Sequence, residues 1–164
     1  MTDLVKISEA DGVVEILWNR PDKKNALSNV MYRAATAALA RAAEDKAIRS
    51  VVIGSTGDSF TSGNDLADFA AAASGGEPPA AHGFIETIIQ FPKPIVAAVP
   101  GLAVGVGTTM LLHCDLVYVA RDAKLTTPFV NLALVPEAAS SLLMPAHIGH
   151  RRAFAMFALG DAMT

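Results

Sequence analysis

Charge is scarce in this chain. Asp, Glu, Lys and Arg make up 18% of its 164 residues, and the formal net charge is −3. That balance provides no basic field to hold nucleic acid or an acidic membrane surface. Cysteine is scarcer still. Cys114 stands alone, which excludes an internal disulfide framework and suits a reducing compartment. The four histidines, His82, His113, His147 and His150, show no metal spacing. The start, Met1-Thr2-Asp3-Leu4, lacks the basic head and apolar core of a signal peptide, so the expected compartment is the cytoplasm. What is abundant is apolar surface. Hydrophobic residues reach 52%, which predicts a large buried core and one domain over residues 1–164.

The longest uncharged stretch lies between Lys93 and Asp115. By length alone it could cross a membrane. Its interior argues against that, because the apolar run Ile95–Val99 stops at Pro100-Gly101 and glycines follow at 105 and 107. A strand, a glycine turn and a helix start expose backbone N–H groups able to hold an anion or a developing oxyanion. Elsewhere the pattern predicts strands at Val5–Ile7 and Val13–Trp18 around an Asp11-Gly12 turn. A helix follows from the N-cap Ser28 to Glu44, burying Val30, Met31, Ala35, Ala38, Leu39 and Ala42. Further strands are expected at Ser50–Ser55, Leu116–Ala120 and Lys124–Thr127. Helices are expected at Leu66–Ala73, Ala80–Gln90, Gly105–Leu112, Glu137–His147 and Arg151–Leu159. Ser74 to Pro79 reads as a surface loop. Strands alternating with helices predict an α/β fold with parallel pairing, and no internal repeat is visible.

Two glycine turns follow buried strands: Phe60-Thr61-Ser62-Gly63-Asn64-Asp65-Leu66, and Gly101 to Gly107. Neither fits a nucleotide motif. Gly105-x-Gly107 lacks the third glycine of a dinucleotide fingerprint, since Met110 stands there. A Walker Gly-Lys-Ser/Thr and a G-x-S-x-G nucleophile elbow are also missing.

Four segments in register carry a family resemblance. Asn19-Arg20-Pro21 with Lys24-Asn25-Ala26-Leu27-Ser28 resembles the first motif of the crotonase superfamily, the enoyl-CoA hydratase/isomerase family. Phe60-x-x-Gly63-x-Asp65-Leu66 resembles the second. Lys93-Pro94-Ile95-Val96-Ala97-Ala98-Val99-x-Gly101, with Gly105, Gly107 and Cys114-Asp115, resembles the third. Leu125 to Ser141, with Thr127-Pro128-Phe129, Pro136-Glu137 and Ser140-Ser141, is similar to the corresponding segment of Δ3,Δ2-enoyl-CoA isomerases. The resemblance implies a crotonase-like spiral of ββα units and an acyl-CoA thioester as substrate. It implies no separate cofactor, coenzyme A being part of the substrate, and no nucleic-acid or membrane partner. It also implies a homotrimer or a dimer of trimers. Gly160 to Thr164 matches the point where family members continue into further helices that cover the acyl pocket. The expectation is therefore a core domain lacking those C-terminal helices.

By the same resemblance the two glycine turns share one task. The amides of Asn64 and Val106 donate to the thioester oxygen, and Lys24, Ala26, Asp65 and Leu66 line the coenzyme A site. Two fixed dipoles stabilise the enolate formed when a proton leaves C2, and one such donor is worth about 3–4 kcal/mol in the transition state. Hydratases of the family use two glutamates, and those positions here read Thr109 and Phe129. Thr109 is no general base near neutral pH. Glu137 holds the place of the isomerase base. Leu134, Val135, Ala138 and Leu142 around it predict desolvation and a raised pKa. Ala138 departs from the isomerase pattern, where glycine is usual.

The plainer readings are structural. Glu137 could be a helix-start acid that complements the macrodipole, and Asp65 a helix cap. Lys23 and Lys24 could be solvated loop charges or phosphate contacts, and Asp68 and Glu86 could be helix-surface charges or approach the acyl pocket. Cys114 could be a core thiol, and Phe84, Phe129 and Met144 could be core or line the acyl tunnel. Arg151 and Arg152 fit surface charge or a subunit contact. The leading expectation is Δ3-to-Δ2 enoyl-CoA isomerisation with Glu137 as proton shuttle. The alternatives are an enoyl-CoA hydratase and a non-catalytic acyl-CoA-binding or assembly subunit.

Overall fold

Continuous apolar runs form the centre of the fold, as their composition requires. In the computed structural model, which describes residues 2–164, β3 (Ser50–Ser55) and β5 (Ile95–Val99) lie side by side and parallel. Met1, part of the start read above against a signal-peptide pattern, lies outside the described residues. Val51, Ile53, Ile95 and Ala97 are fully buried between them and their neighbours. β1 (Val5–Ala10) and β2 (Val13–Trp18) form an antiparallel hairpin. Asp11 and Gly12 at its tip both take positive φ, the turn that matches strand twist. β7 (Leu116–Val119) completes a five-stranded sheet in the order β1-β2-β3-β5-β7, all parallel beyond the hairpin.

A second, three-stranded parallel sheet is built from the short strands β4 (Ser59–Thr61), β6 (Leu102–Val104) and β8 (Lys124–Thr126). Three times, a longer strand in the first sheet is followed by a short one in the second. That is a repeat of ββ units, with helices after the first two, that no sequence repeat announces. The helices are α1 (Asn29–Glu44), α2 (Leu66–Ala73), α3 (Ala81–Gln90), α4 (Val106–Thr109), α5 (Ser140–Ile148) and α6 (His150–Phe154). A 3-10 turn, Met110–His113, extends α4, and a π turn, Ala155–Leu159, follows α6.

α1 buries Met31, Tyr32, Ala35, Ala38, Leu39 and Ala42 against the core, each large apolar side chain contributing about 1.5–3 kcal/mol. Tyr32 and Trp18 pack on Phe84 of α3, with ring centroids 5.4 and 5.7 Å away. The helix ends are satisfied from a distance. Ser28 sits at the N-cap of α1, yet its hydroxyl has no partner. The Asp68 carboxylate of α2 accepts the Asn29 amide instead, at 2.7 Å. At the other end Lys93 Nζ donates to the Ala42 and Asp45 carbonyls at 2.5 and 2.6 Å. Asp115 accepts the Ile95 amide at 2.8 Å and pins the start of β5. The two charges that bracket the uncharged stretch are thus structural.

Three expectations are corrected. Val30 is 48% exposed, because the apolar stripe of α1 passes beside it. β7 is an edge strand with every residue exposed, its apolar composition notwithstanding. The helix expected over Glu137–His147 begins at Ser140, so Glu137 precedes it rather than opening it. Among the described residues no helix is long and apolar enough to cross a membrane.

Candidate active site

The two glycine turns touch each other. A Cβ added to Gly107 would lie 2.2 Å from Thr61 Cγ2, and one on Gly63 would lie 3.1 Å from the Val104 carbonyl oxygen. Only the missing side chains let the turns approach this closely. The first turn is tied to the Lys24–Leu27 loop. Thr61 Oγ1 donates to the Asn25 carbonyl at 2.7 Å and accepts the Gly63 amide at 3.0 Å. Leu27 donates to Gly63 O and accepts from the Asp65 amide, at 2.8 and 2.9 Å. This parallel bridge uses the groups on either side of Asn64 and leaves the Asn64 amide unbonded.

The second turn leaves β6 through Gly105, at φ +56° and ψ −118°, a conformation that only glycine adopts without strain. Gly105 N donates to the Thr126 carbonyl at 2.9 Å, fixing the turn to β8. Val106 then opens α4, and the first amide of a helix has no intrahelical acceptor. Among the described residues, neither the Asn64 nor the Val106 amide donates to a protein acceptor. The geometry thus brings together two free donors on two touching turns.

Glu137 reaches the same place. Its Oε1 accepts a hydrogen bond from Thr109 Oγ1, at the far end of α4. Glu137 as a residue is exposed, but its carboxyl extends inward to Thr109, which is fully buried. Desolvation at that end raises its pKa above the ordinary carboxylate value. The Thr109 hydrogen bond and nearby His113 pull it back only in part. The apolar neighbours in sequence are not the cause. Leu134, Val135 and Leu142 are 39%, 81% and 73% exposed. His113 Nε2 lies 2.9 Å from the Ala138 carbonyl and steadies the same loop. Ala138 and Ala139 both take φ +52°, the left-handed region, so the position where isomerases carry glycine demands glycine-like backbone here too.

Tyr32 braces the first turn and feels the Glu137 charge. Its hydroxyl donates to Asn64 Oδ1 at 2.6 Å. Burial holds its pKa well above the usual phenol value, and the Glu137 charge pushes it further. Sequence reading took Tyr32 only as part of a helix, and nothing in the local pattern marks it as polar-site tissue. Asn25 was also missed as an organiser. Fully buried, it donates to the Thr56 and Ser59 carbonyls at 2.9 and 2.8 Å and accepts the Arg20 amide at 2.7 Å.

The remaining site residues are placed as follows. Asp65 caps α2, accepting from the Ala67 and Asp68 amides at 2.9 and 3.3 Å, and pairs with Arg20 at 2.5 Å. The Arg20 guanidinium holds its carboxyl below the usual range. Asp65 thus fixes the turn through structure, and its carboxylate is already committed. Lys23 and Lys24 are exposed on the loop, Ala26 is half-buried and Leu66 exposed. Glu86 pairs with His82 on the surface. Phe129, at the hydratase glutamate position, is buried and stacks on Phe157 at 6.1 Å. Met144 is buried in a small cluster with Ala153 and Met156. Phe84 is core, and burial pushes the Cys114 thiol up to about 12. Among the described residues no group of acids, cysteines and histidines could hold a metal.

Known proteins resemble this chain along nearly its whole length. The enoyl-CoA hydratase/isomerase family model matches residues 8–164. Enoyl-CoA delta isomerase 2 of Rattus norvegicus is 39% identical over 98% of this chain and 42% of its own length. The peroxisomal enoyl-CoA delta isomerase 3 of Mus musculus is 37% identical over 98% of this chain and 52% of its own. The crystal structure of an enoyl-CoA hydratase/isomerase from Pseudoalteromonas atlantica superposes with a TM-score of 0.93 at 41% identity. The match covers 98% of this chain and 64% of that one. The chain therefore spans about half the length of the curated relatives it matches. The ββ repeat, the paired glycine turns and these matches agree: the chain belongs to the enoyl-CoA hydratase/isomerase family.

Proposed function

We propose that this chain is the core of an enoyl-CoA isomerase that moves a double bond from C3–C4 to C2–C3 of an acyl-CoA thioester. One observation carries the reading. The Glu137 carboxyl is fixed by Thr109 at the end of the same short helix that begins with the free Val106 amide. The Glu137 carboxylate takes a proton from C2, and the electron pair delocalises into the thioester carbonyl. The Asn64 and Val106 amides hold the resulting dienolate oxygen. Glu137, now protonated, returns the proton at C4, and the double bond forms between C2 and C3. A single carboxylate suffices, and its raised pKa suits a group that must both accept and release a proton.

Adding water across the double bond normally calls on two carboxylates in this family. Here one position is Thr109 and the other the buried Phe129, which favours isomerisation. A reducing compartment suits the lone cysteine, whether the cytoplasm or the peroxisome named for the mouse relative. The exposed apolar strand β7 suits contact with further chain or with other subunits of a trimer. The test is incubation with a 3-enoyl-CoA while following the conjugated 2-enoyl product. Glu137→Gln is expected to lower kcat by about 10³-fold or more, the scale of losing a general base. A wild-type rate in that variant, or hydration of a 2-enoyl-CoA faster than isomerisation, sinks the reading.

A further inference from the structure

Thr109 has no place in the proton transfer above, yet it is fully buried and its hydroxyl meets the reacting carboxylate. Its other acceptor, the Val106 carbonyl, lies at 3.4 Å and is the weaker partner. We infer that Thr109 is the positioning residue of the base: its hydroxyl locks one carboxylate oxygen of Glu137 in register with the Val106 amide. The inference rests on the isomerase reading and deepens it.

The geometry leads there in three steps. Glu137 lies in a loop, not on a helix, with Ala138 and Ala139 in left-handed conformation directly after it. Among the described residues the loop backbone is held by His113 on the Ala138 carbonyl and by the Ser140 amide on the Glu137 carbonyl, and no group of that loop bonds the carboxyl. Thr109 supplies the missing restraint from α4, whose backbone is set by Gly105 on Thr126 and by the Thr108 hydroxyl, 2.9 and 3.0 Å from the Ala103 and Thr126 carbonyls. A single turn of helix thus carries the oxyanion donor at one end and the anchor of the base at the other. A hydroxyl donor at this spot also does what a second carboxylate could not. It stabilises the charged form of Glu137 without repelling it, and leaves the other oxygen free to take a proton.

The experiment compares Thr109→Val, which keeps shape and burial, with Thr109→Ser, which keeps the hydroxyl. Glu137 is titrated in the ligand-free protein by ¹³C-glutamate NMR, assigned with Glu137→Gln. Loss of the donor removes a stabiliser of the carboxylate, so Thr109→Val is expected to raise the Glu137 pKa by about one unit. The acid limb of kcat, where the base must be unprotonated, should move up with it. At the plateau kcat is expected to fall about 10-fold with KM unchanged, and Thr109→Ser is expected to restore both. Should Thr109→Val fold poorly, Thr109→Ala against Thr109→Ser gives the same contrast. An unmoved titration, or a shifted titration with an unchanged kcat plateau, overturns the positioning role. The titration needs no substrate. A wild-type rate in Glu137→Gln defeats the isomerase reading instead, so the two failures are distinct.

Discussion

The two glycine turns present the same kind of group, a free amide, by different means. Besides its Leu27 backbone bridge, the first is braced mainly by side chains: Thr61 on Asn25, Tyr32 on Asn64, and Arg20 on Asp65. The second is held by backbone conformation, with Gly105 in a region closed to other residues and its amide on Thr126. A polar network of this kind fails by degrees, because each hydrogen bond contributes about 1 kcal/mol net. A steric device fails at once, because a Cβ cannot be partly present.

The sharpest way to break this contrast is Gly107→Ala, where the turns meet. The new Cβ strikes Thr61 Cγ2, and Thr61 cannot rotate away without releasing the Asn25 carbonyl and the Gly63 amide. We expect about 2–3 kcal/mol of destabilisation by urea unfolding and a kcat loss of about 10² or more. Tyr32→Phe should be milder. It leaves the ring on Phe84 and removes only the bond to Asn64. About 1 kcal/mol of stability and a roughly 10-fold drop in kcat are expected, with KM little changed. If Tyr32→Phe costs as much as Gly107→Ala, the contrast between the turns is wrong. The smallest effect belongs to the third turn, where left-handed backbone falls on alanine. Ala138→Gly should raise the midpoint of urea unfolding by about 0.5–1 kcal/mol equivalent, relief of strain exceeding the added freedom of the unfolded chain. A loss of stability there would show that Ala138 is not strained.

Much of this was legible in the sequence. Ser50–Ser55 and Ile95–Val99 match the observed strands because unbroken apolar runs bounded by turns leave little choice. The glycine turns were legible because glycine marks backbone that other residues avoid. The Glu137 loop was not, since the alanines after it favour helix by propensity while the fold imposes left-handed φ. Nor was the source of its raised pKa. Sequence neighbours suggested apolar cover, whereas the carboxyl is desolvated where it reaches inward to Thr109, 28 residues earlier, whose hydroxyl offsets that rise only in part. Remote caps were equally hidden: Lys93 on α1 and Asp68 on Asn29 join segments far apart in the chain, which periodicity does not register.

Helix α4 is only four residues long, Val106 to Thr109. In the proposed mechanism, donor and base anchor are therefore geared together as one rigid part. A substitution that tilts this turn disturbs the hole and the base at once, so changes in α4 should be strongly epistatic with changes at Glu137. Drift toward a different acyl-CoA chemistry would then have to begin elsewhere, in the loops around the gear rather than in its teeth.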